Sequence, residues 1–181
     1  MFVTLLRGRG LPAEEHPFTI ASSPDGSGAL EIAPKELGDF TSTAGETEPG
    51  DRAAVMGPFG RFSFLLHPER KRLVMVAGGI GITPFMSMLR YMRDRGDGRE
   101  VLLLYGNRTP ADAAFAGELA GMAEGDGPPG LKVVHVLSAA PEGWQGESGY
   151  IDGRLLRRYV GDTDDTGFYV CGPPAMMSAV S

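Results

Sequence analysis

The stretch Val74-Met75-Val76-Ala77-Gly78-Gly79-Ile80-Gly81-Ile82-Thr83-Pro84-Phe85 constrains this chain more than any other. Four apolar residues, Val74 to Ala77, form the kind of run expected of a strand buried on both faces. They enter a glycine turn, where missing side chains let the backbone bend sharply and approach a ligand closely. Thr83 is placed to N-cap a helix and Pro84 to open it, because the first helical position needs no N–H. A helix starting there aims free N–H groups and the positive end of its dipole at whatever lies over the turn. That arrangement suits a pyrophosphate. The spacing Gly79-x-Gly81-x-x-Pro84 lacks the third glycine of the usual dinucleotide fingerprint. An ordinary strand–turn–helix corner would show the same local pattern, so the rest of the chain must decide.

Two rhythms divide the 181 residues. Residues 1–66 hold short β-type pieces at 2–6, 18–21, 30–32, 52–56 and 62–65, separated by turns such as Pro24-Asp25-Gly26-Ser27-Gly28. This spacing reads as part of an antiparallel barrel. After the polar connector His67-Pro68-Glu69-Arg70-Lys71-Arg72, strands expected at 73–77, 101–105, 132–137 and 168–171 alternate with helices at about 84–95, 111–123 and 152–159. Alternation of that kind implies a parallel sheet covered on both faces. The expected class is therefore β + α/β, with one domain over 1–66 and a second over 67–181.

Composition narrows the function. A net charge of −6 gives no electrostatic reason for nucleic-acid binding. The single cysteine, Cys171, excludes an intrachain disulfide and fits a reducing compartment. The uncharged stretch 73–89 is interrupted by the glycine turn and Pro84, so it does not read as a membrane helix, and the first apolar run is too short for a signal peptide. A cytoplasmic chain is expected. No His/Cys grouping has metal-ligand spacing, so no metal is expected. Asp162, Asp164 and Asp165 read as a solvated loop, and Trp144 and Tyr150 as packing under a loop.

Further motifs flank the glycine turn: His16-Pro17-Phe18-Thr19, Gly38-Asp39-Phe40-Thr41, Gly57-Pro58-Phe59-Gly60 and Cys171-Gly172-Pro173. In this order they resemble the ferredoxin–NADP reductase superfamily. The variant His-Pro-Phe-Thr, where most members have Arg-x-Tyr-Ser/Thr, is similar to the branch of membrane ferric reductases and NADPH oxidases. The resemblance implies a partial flavin-binding barrel followed by a nucleotide-binding domain, with FAD and NADPH as cofactors. It implies that His16, Pro17, Phe18, Thr19, Gly38, Phe40 and Thr41 hold the flavin, Phe18 with its ring and Thr19 through its hydroxyl near flavin N5. Gly79, Gly81, Thr83, Pro84, Gly172 and Pro173 would serve the nicotinamide nucleotide, and Cys171 would lie near the reacting carbon. Thr19 and Cys171 are the expected catalytic pair. The resemblance also implies barrel strands before Met1 and a last strand after Ser181.

Two residues bear on selectivity. His16 stands where an arginine would pair with the flavin pyrophosphate, and an imidazole, mostly neutral at pH 7, makes a weaker contact than a guanidinium. After the second parallel strand, Tyr105-Gly106-Asn107-Arg108-Thr109 offers no acid until Asp112. An NAD site wants a carboxylate there for the ribose 2′-hydroxyl, whereas Arg108 suits a 2′-phosphate and favours NADPH. The expected partner is an electron acceptor, a haem in a membrane domain outside this segment. A soluble reductase serving an iron–sulfur protein or oxygenase, and a remnant that keeps only the fold, are the competing readings.

Overall fold

The computed structural model describes residues 1–24, 26–161 and 163–180. Near the N-terminus, strands β1 (Phe2–Leu6) and β2 (Glu15–Pro17) pair antiparallel with Val3 opposite His16. Helix α1 (Asp39–Ser42) leads by way of a 3-10 turn to strand β3 (Arg52–Met56), which pairs with the other edge of β1. The sheet order is β2-β1-β3.

Three expected strands do not form. At 18–21 the ladder stops after Phe18, whose N–H donates to Met1 O at 2.8 Å. At 30–32 the chain touches its neighbour through Ala21 N to Glu31 O, 2.8 Å, and Glu31 N to the Ser22 hydroxyl, 3.1 Å. A side-chain acceptor there replaces the second rung a ladder would need. At 62–65 a 3-10 turn, Phe64–Leu66, takes over, with the Ser63 hydroxyl accepting from Leu65 N at 3.3 Å. Phe64 is thereby driven into the core of the following half, at 1% exposure.

The second half follows its expected order. Strand β4 (Arg72–Gly78) leads through a 3-10 turn, Gly79–Ile82, to helix α2 (Thr83–Arg95), closed by Gly96 in the left-handed region at φ 62°. Strand β5 (Glu100–Asn107), helix α3 (Ala116–Gly121) and strand β6 (Leu131–Leu137) come next. The two-residue strand β7 (Glu147–Ser148), helix α4 (Gly153–Val160), strand β8 (Thr166–Cys171) and helix α5 (Pro174–Val180) complete it. The helix expected over 111–123 begins only at Ala116. A 3-10 turn at Pro110–Asp112, stabilised by Asp112 accepting from Thr109 N at 2.9 Å, occupies its first residues.

All five strands run parallel in the order β7-β6-β5-β4-β8. Successive residues of β4 face opposite sides, and both sides are buried. Leu73 and Met75 pack with Phe85, Leu89 and Leu103, while Val74 and Val76 pack with Leu102, Leu104 and Ile151. The unbroken apolar runs seen in the sequence follow from this two-sided burial. Strands β5, β6 and β7 build outward from one edge of β4, whereas β8 returns to the other. The strand order therefore reverses between β4 and β8, and open parallel sheets form their ligand crevice at the carboxyl ends of such a pair.

Candidate functional site

Glycine makes that crevice possible. A Cβ on Gly78 would lie 2.7 Å from the Pro173 ring, and one on Gly172 would lie 2.9 Å from Gly78 N. Gly81 is the tightest, 2.3 Å from the Cys171 carbonyl oxygen. The turns after β4 and β8 thus pack backbone against backbone. Gly79 needs glycine for another reason: its φ is +54° with open space around it. The open side is where a ligand would lie.

Thr83 does not cap α2. Ile82 is the N-cap, and Thr83 is already helical and buried, its hydroxyl donating to Ile80 O at 3.1 Å. The 3-10 turn explains the change, because it runs straight into α2 and leaves no extended residue to act as a cap. Pro84 does sit in the first turn as expected.

Two clefts meet this corner. One, of about 860 Å³, spans the carboxyl ends of the strands and is lined by Gly79, Ile80, Asn107, Arg108, Tyr150 and Pro173 among others. The other, of about 430 Å³, lies between the two halves and brings together Phe18, Thr19, Pro84 and Cys171. The catalytic pair expected from the sequence, Thr19 and Cys171, therefore lines one cavity. Thr19 is exposed and lies beyond the end of β2, on no strand. Its direction is set by the chain leaving the ladder.

His16, Gly38, Phe40 and Thr41 form a separate group beside this cleft. The His16 ring stacks on Phe40 with centroids 4.0 Å apart, and Phe18 approaches the same ring at 6.4 Å. His16 Nε2 lies 3.1 Å from a Glu14 carboxylate oxygen, which occupies one ring nitrogen and places a negative charge beside it. The Thr41 hydroxyl accepts from Leu37 N at 2.9 Å and Gly38 N at 3.1 Å and donates to Gly38 O. It serves its own turn, so its expected contact with the flavin is not preformed.

The electrostatics separate two candidate roles. Cys171 is half-buried, and burial pushes its thiol up. A protonated thiol at neutral pH is a small polarizable wall, not a nucleophile. Asp112 is bound at both Thr109 N and the Thr109 hydroxyl, the latter at 2.6 Å, and these bonds hold its carboxyl below the usual range. Both bonds fall on one oxygen, Oδ2. Arg108 is exposed at the end of β5, and its charge and that of Lys35 both reach Asp112.

Sequence reasoning missed three cleft residues. Tyr150 was expected to pack beneath a loop, but it is 82% exposed and lines the larger cleft. Lys35 reaches the cleft from the first half, a contact with no local sequence signal. Asn107 is buried beside Arg108, and its position at a strand's carboxyl end was the available clue. Trp144 does pack locally, donating from its indole to Glu147 O at 3.1 Å. Asp162 lies outside the described residues, and Asp164 and Asp165 are exposed. Among the described residues no cluster could hold a metal, and no helix is long and apolar enough to cross a membrane.

A parallel sheet with glycine-walled clefts at its switch point defines a dinucleotide-binding α/β protein. The chain belongs to the oxidoreductase NAD-binding domain family, whose pattern residues 75–181 match. NADH-cytochrome b5 reductase 2 of Debaryomyces hansenii is 34% identical over 170 residues, covering 91% of this chain and 56% of that protein. NADH-cytochrome b5 reductase 1 of Lodderomyces elongisporus is 32% identical, covering 98% of this chain and 59% of that one. The chain spans about half the length of the curated relatives it matches. Among solved structures, the cytochrome b5 reductase domain of Ulva prolifera nitrate reductase superposes with a TM-score of 0.81 at 26% identity, covering 98% of this chain and 75% of that one. The resemblance to the ferredoxin–NADP reductase superfamily, and the β plus α/β fold, are borne out.

Proposed function

We propose that this chain is the dehydrogenase segment of a flavoprotein that passes hydride from NADPH to FAD and then single electrons to a haem or metal acceptor. One observation carries the reading: Phe18 and Thr19 from the first half share a cleft with Pro84 and Cys171 from the second, beside the cleft holding Gly79 and Arg108. Two cofactors lying in these neighbouring spaces would meet at Cys171. In this reading residues 1–66 serve the flavin and residues 67–181 the nucleotide.

Both spaces suit their proposed occupants. The open turn at Gly79 leaves room for a pyrophosphate against the start of α2. The smaller cleft offers the half-buried Phe18 ring as an apolar wall and the Thr19 hydroxyl as a donor. FAD, when bound, supplies the conversion from two-electron to one-electron chemistry. The protein's part is to orient and to exclude water: Phe18 against one face, the Thr19 hydroxyl at the edge, and the protonated Cys171 thiol at the junction. Arg108 and Lys35 bring two positive charges to the larger cleft and favour NADPH, although Asp112 lines the same cleft. The curated relatives carry NADH in their names, and NADPH use would set this chain apart from them.

A cytoplasmic site of action and a haem-containing acceptor complete the proposal, the acceptor being suggested by relatives named for cytochrome b5. Titrating the chain with FAD, then following NADPH-dependent ferricyanide reduction, tests it. Uptake of flavin and turnover support the reading. A chain that takes up flavin but turns over only with a ferredoxin-type acceptor supports the iron–sulfur alternative, and one that binds neither cofactor is the remnant.

A further inference from the structure

Ser87 and Arg90 lie one turn apart on α2, and both reach across to the first half. The Ser87 hydroxyl donates to Ser22 O at 2.7 Å, and Arg90 Nη1 donates to Ala21 O at 2.8 Å. The same Arg90 nitrogen pairs with Glu31 at 3.0 Å. Ala21 is fully buried and bonds Glu31 O through its own N–H, so the two segments held by Arg90 are also bonded to each other. On the far side, Arg90 forms a two-point fork with Glu118 of α3, both bonds 2.7 Å, and lies over the Phe115 ring at 5.4 Å. Its side chain is only 12% exposed.

This geometry joins the two clefts through one rigid rod. The nucleotide turn, Gly79–Ile82, runs directly into the amino end of α2. One turn along the same helix, Ser87 and then Arg90 hold the carbonyls of Ser22 and Ala21, which follow Phe18 and Thr19 by two to four residues. The fork to Glu118 fixes the guanidinium's direction, because a planar donor pair on a carboxylate permits one orientation. We propose that Ser87 and Arg90 are positioning residues that set the distance between the flavin-side segment 18–22 and the nucleotide turn, and so the alignment for hydride transfer. The proposal rests on the function proposed above and adds the residues that register its two sites.

The test compares the FAD-loaded chain with Ser87→Ala, Arg90→Lys and the double variant. Lysine keeps the positive charge between Glu31 and Glu118 but cannot form the fork, so the fold is preserved while the register loosens. Amide hydrogen exchange at residues 19–24 should quicken by about tenfold in the double variant. FAD and NADPH dissociation constants should stay within about threefold, since each site keeps its own contacts. The single-turnover rate of flavin bleaching by NADPH should fall by on the order of tenfold or more, because small misplacements cost rate steeply. A lowered melting temperature with an unchanged bleaching rate, or a slowing that only tracks lost cofactor affinity, overturns the proposal. Wild-type loading reports separately on the function itself: a wild-type chain that binds neither cofactor refutes that reading and the positioning role together.

Discussion

Gly81 and Cys171 touch through their backbones: a side chain on the first would begin 2.3 Å from the carbonyl oxygen of the second. The contact joins the turn after β4 to the end of β8 and so closes the floor of the crevice. It also explains why Cys171, which ends β8, lines the cleft shared with Pro84. A larger residue at position 81 would push the two strand ends apart and move the thiol away from Phe18 and Thr19.

Gly81→Ala and Gly79→Ala should therefore differ in kind. At Gly81 the added carbon meets backbone that cannot rotate away, so a loss of about 1–3 kcal/mol in stability is expected, with weaker nucleotide binding. At Gly79 the space is open and only the left-handed conformation is penalised, at about 1–2 kcal/mol. Thermal melts with and without NADPH separate the two. No loss of stability at Gly81 would show that the two turns do not press together.

Arg108→Ala should raise the NADPH dissociation constant by about 10- to 100-fold, the loss of a charge-assisted contact worth about 1.5–3 kcal/mol, and leave NADH nearly unchanged. Lys35→Ala should act in the same direction with a smaller effect. An equal change for both nucleotides after Arg108→Ala removes the basis for the NADPH assignment. Asp112→Ala is the control: it breaks the turn at Thr109 but should not convert the chain to NADH preference.

Much of the second half was legible because two-sided burial writes itself as apolar runs, and Gly-Pro punctuation marks their ends. Strand β4, helix α2 and the Cys171-Gly172-Pro173 turn fall where the residues place them. The first half was less legible. Strands β1 and β3 form at 2–6 and 52–56 as expected. Strand β2 forms at Glu15–Pro17, where no strand was expected, and its place there instead of at 18–21 is set by pairing with the distant β1. The piece at 62–65 looked like a strand because its apolar residues alternate, but the Ser63 hydroxyl competes for the backbone and makes a turn. Within the site, the turn glycines were visible as chemistry. Lys35, Tyr150 and the Arg90 junction were not, because they depend on segments far apart in the chain.

Cys171 should behave as a slow thiol. Burial pushes its pKa up, so the reactive thiolate is scarce at pH 7. Its reaction with a disulfide reagent is expected to lag well behind that of free cysteine at pH 7, to accelerate only at strongly alkaline pH, and to slow further when NADPH is bound. Rapid labelling at neutral pH that NADPH leaves unaffected would place the thiol outside the cleft and end its proposed role beside the nicotinamide.

Acid should weaken the first half through Asp51. Arg9 grips both of its carboxylate oxygens, at 2.9 and 2.7 Å, and Glu48 N donates to one of them at 2.8 Å. The Arg9 bond is the largest influence and, with that backbone bond, lowers the Asp51 pKa to about 2. An unfolded aspartate titrates near 3.9, so the folded state binds this proton less readily than the unfolded state. The stabilisation is therefore fully present above about pH 4 and is lost as pH falls towards 2. Because Arg9 is partly open to solvent, molar salt should shrink it as well. Melting curves of wild type and Asp51→Asn should differ at pH 6 in low salt and converge near pH 2. A gap that persists unchanged down to pH 2 would show that the difference has nothing to do with this ion pair.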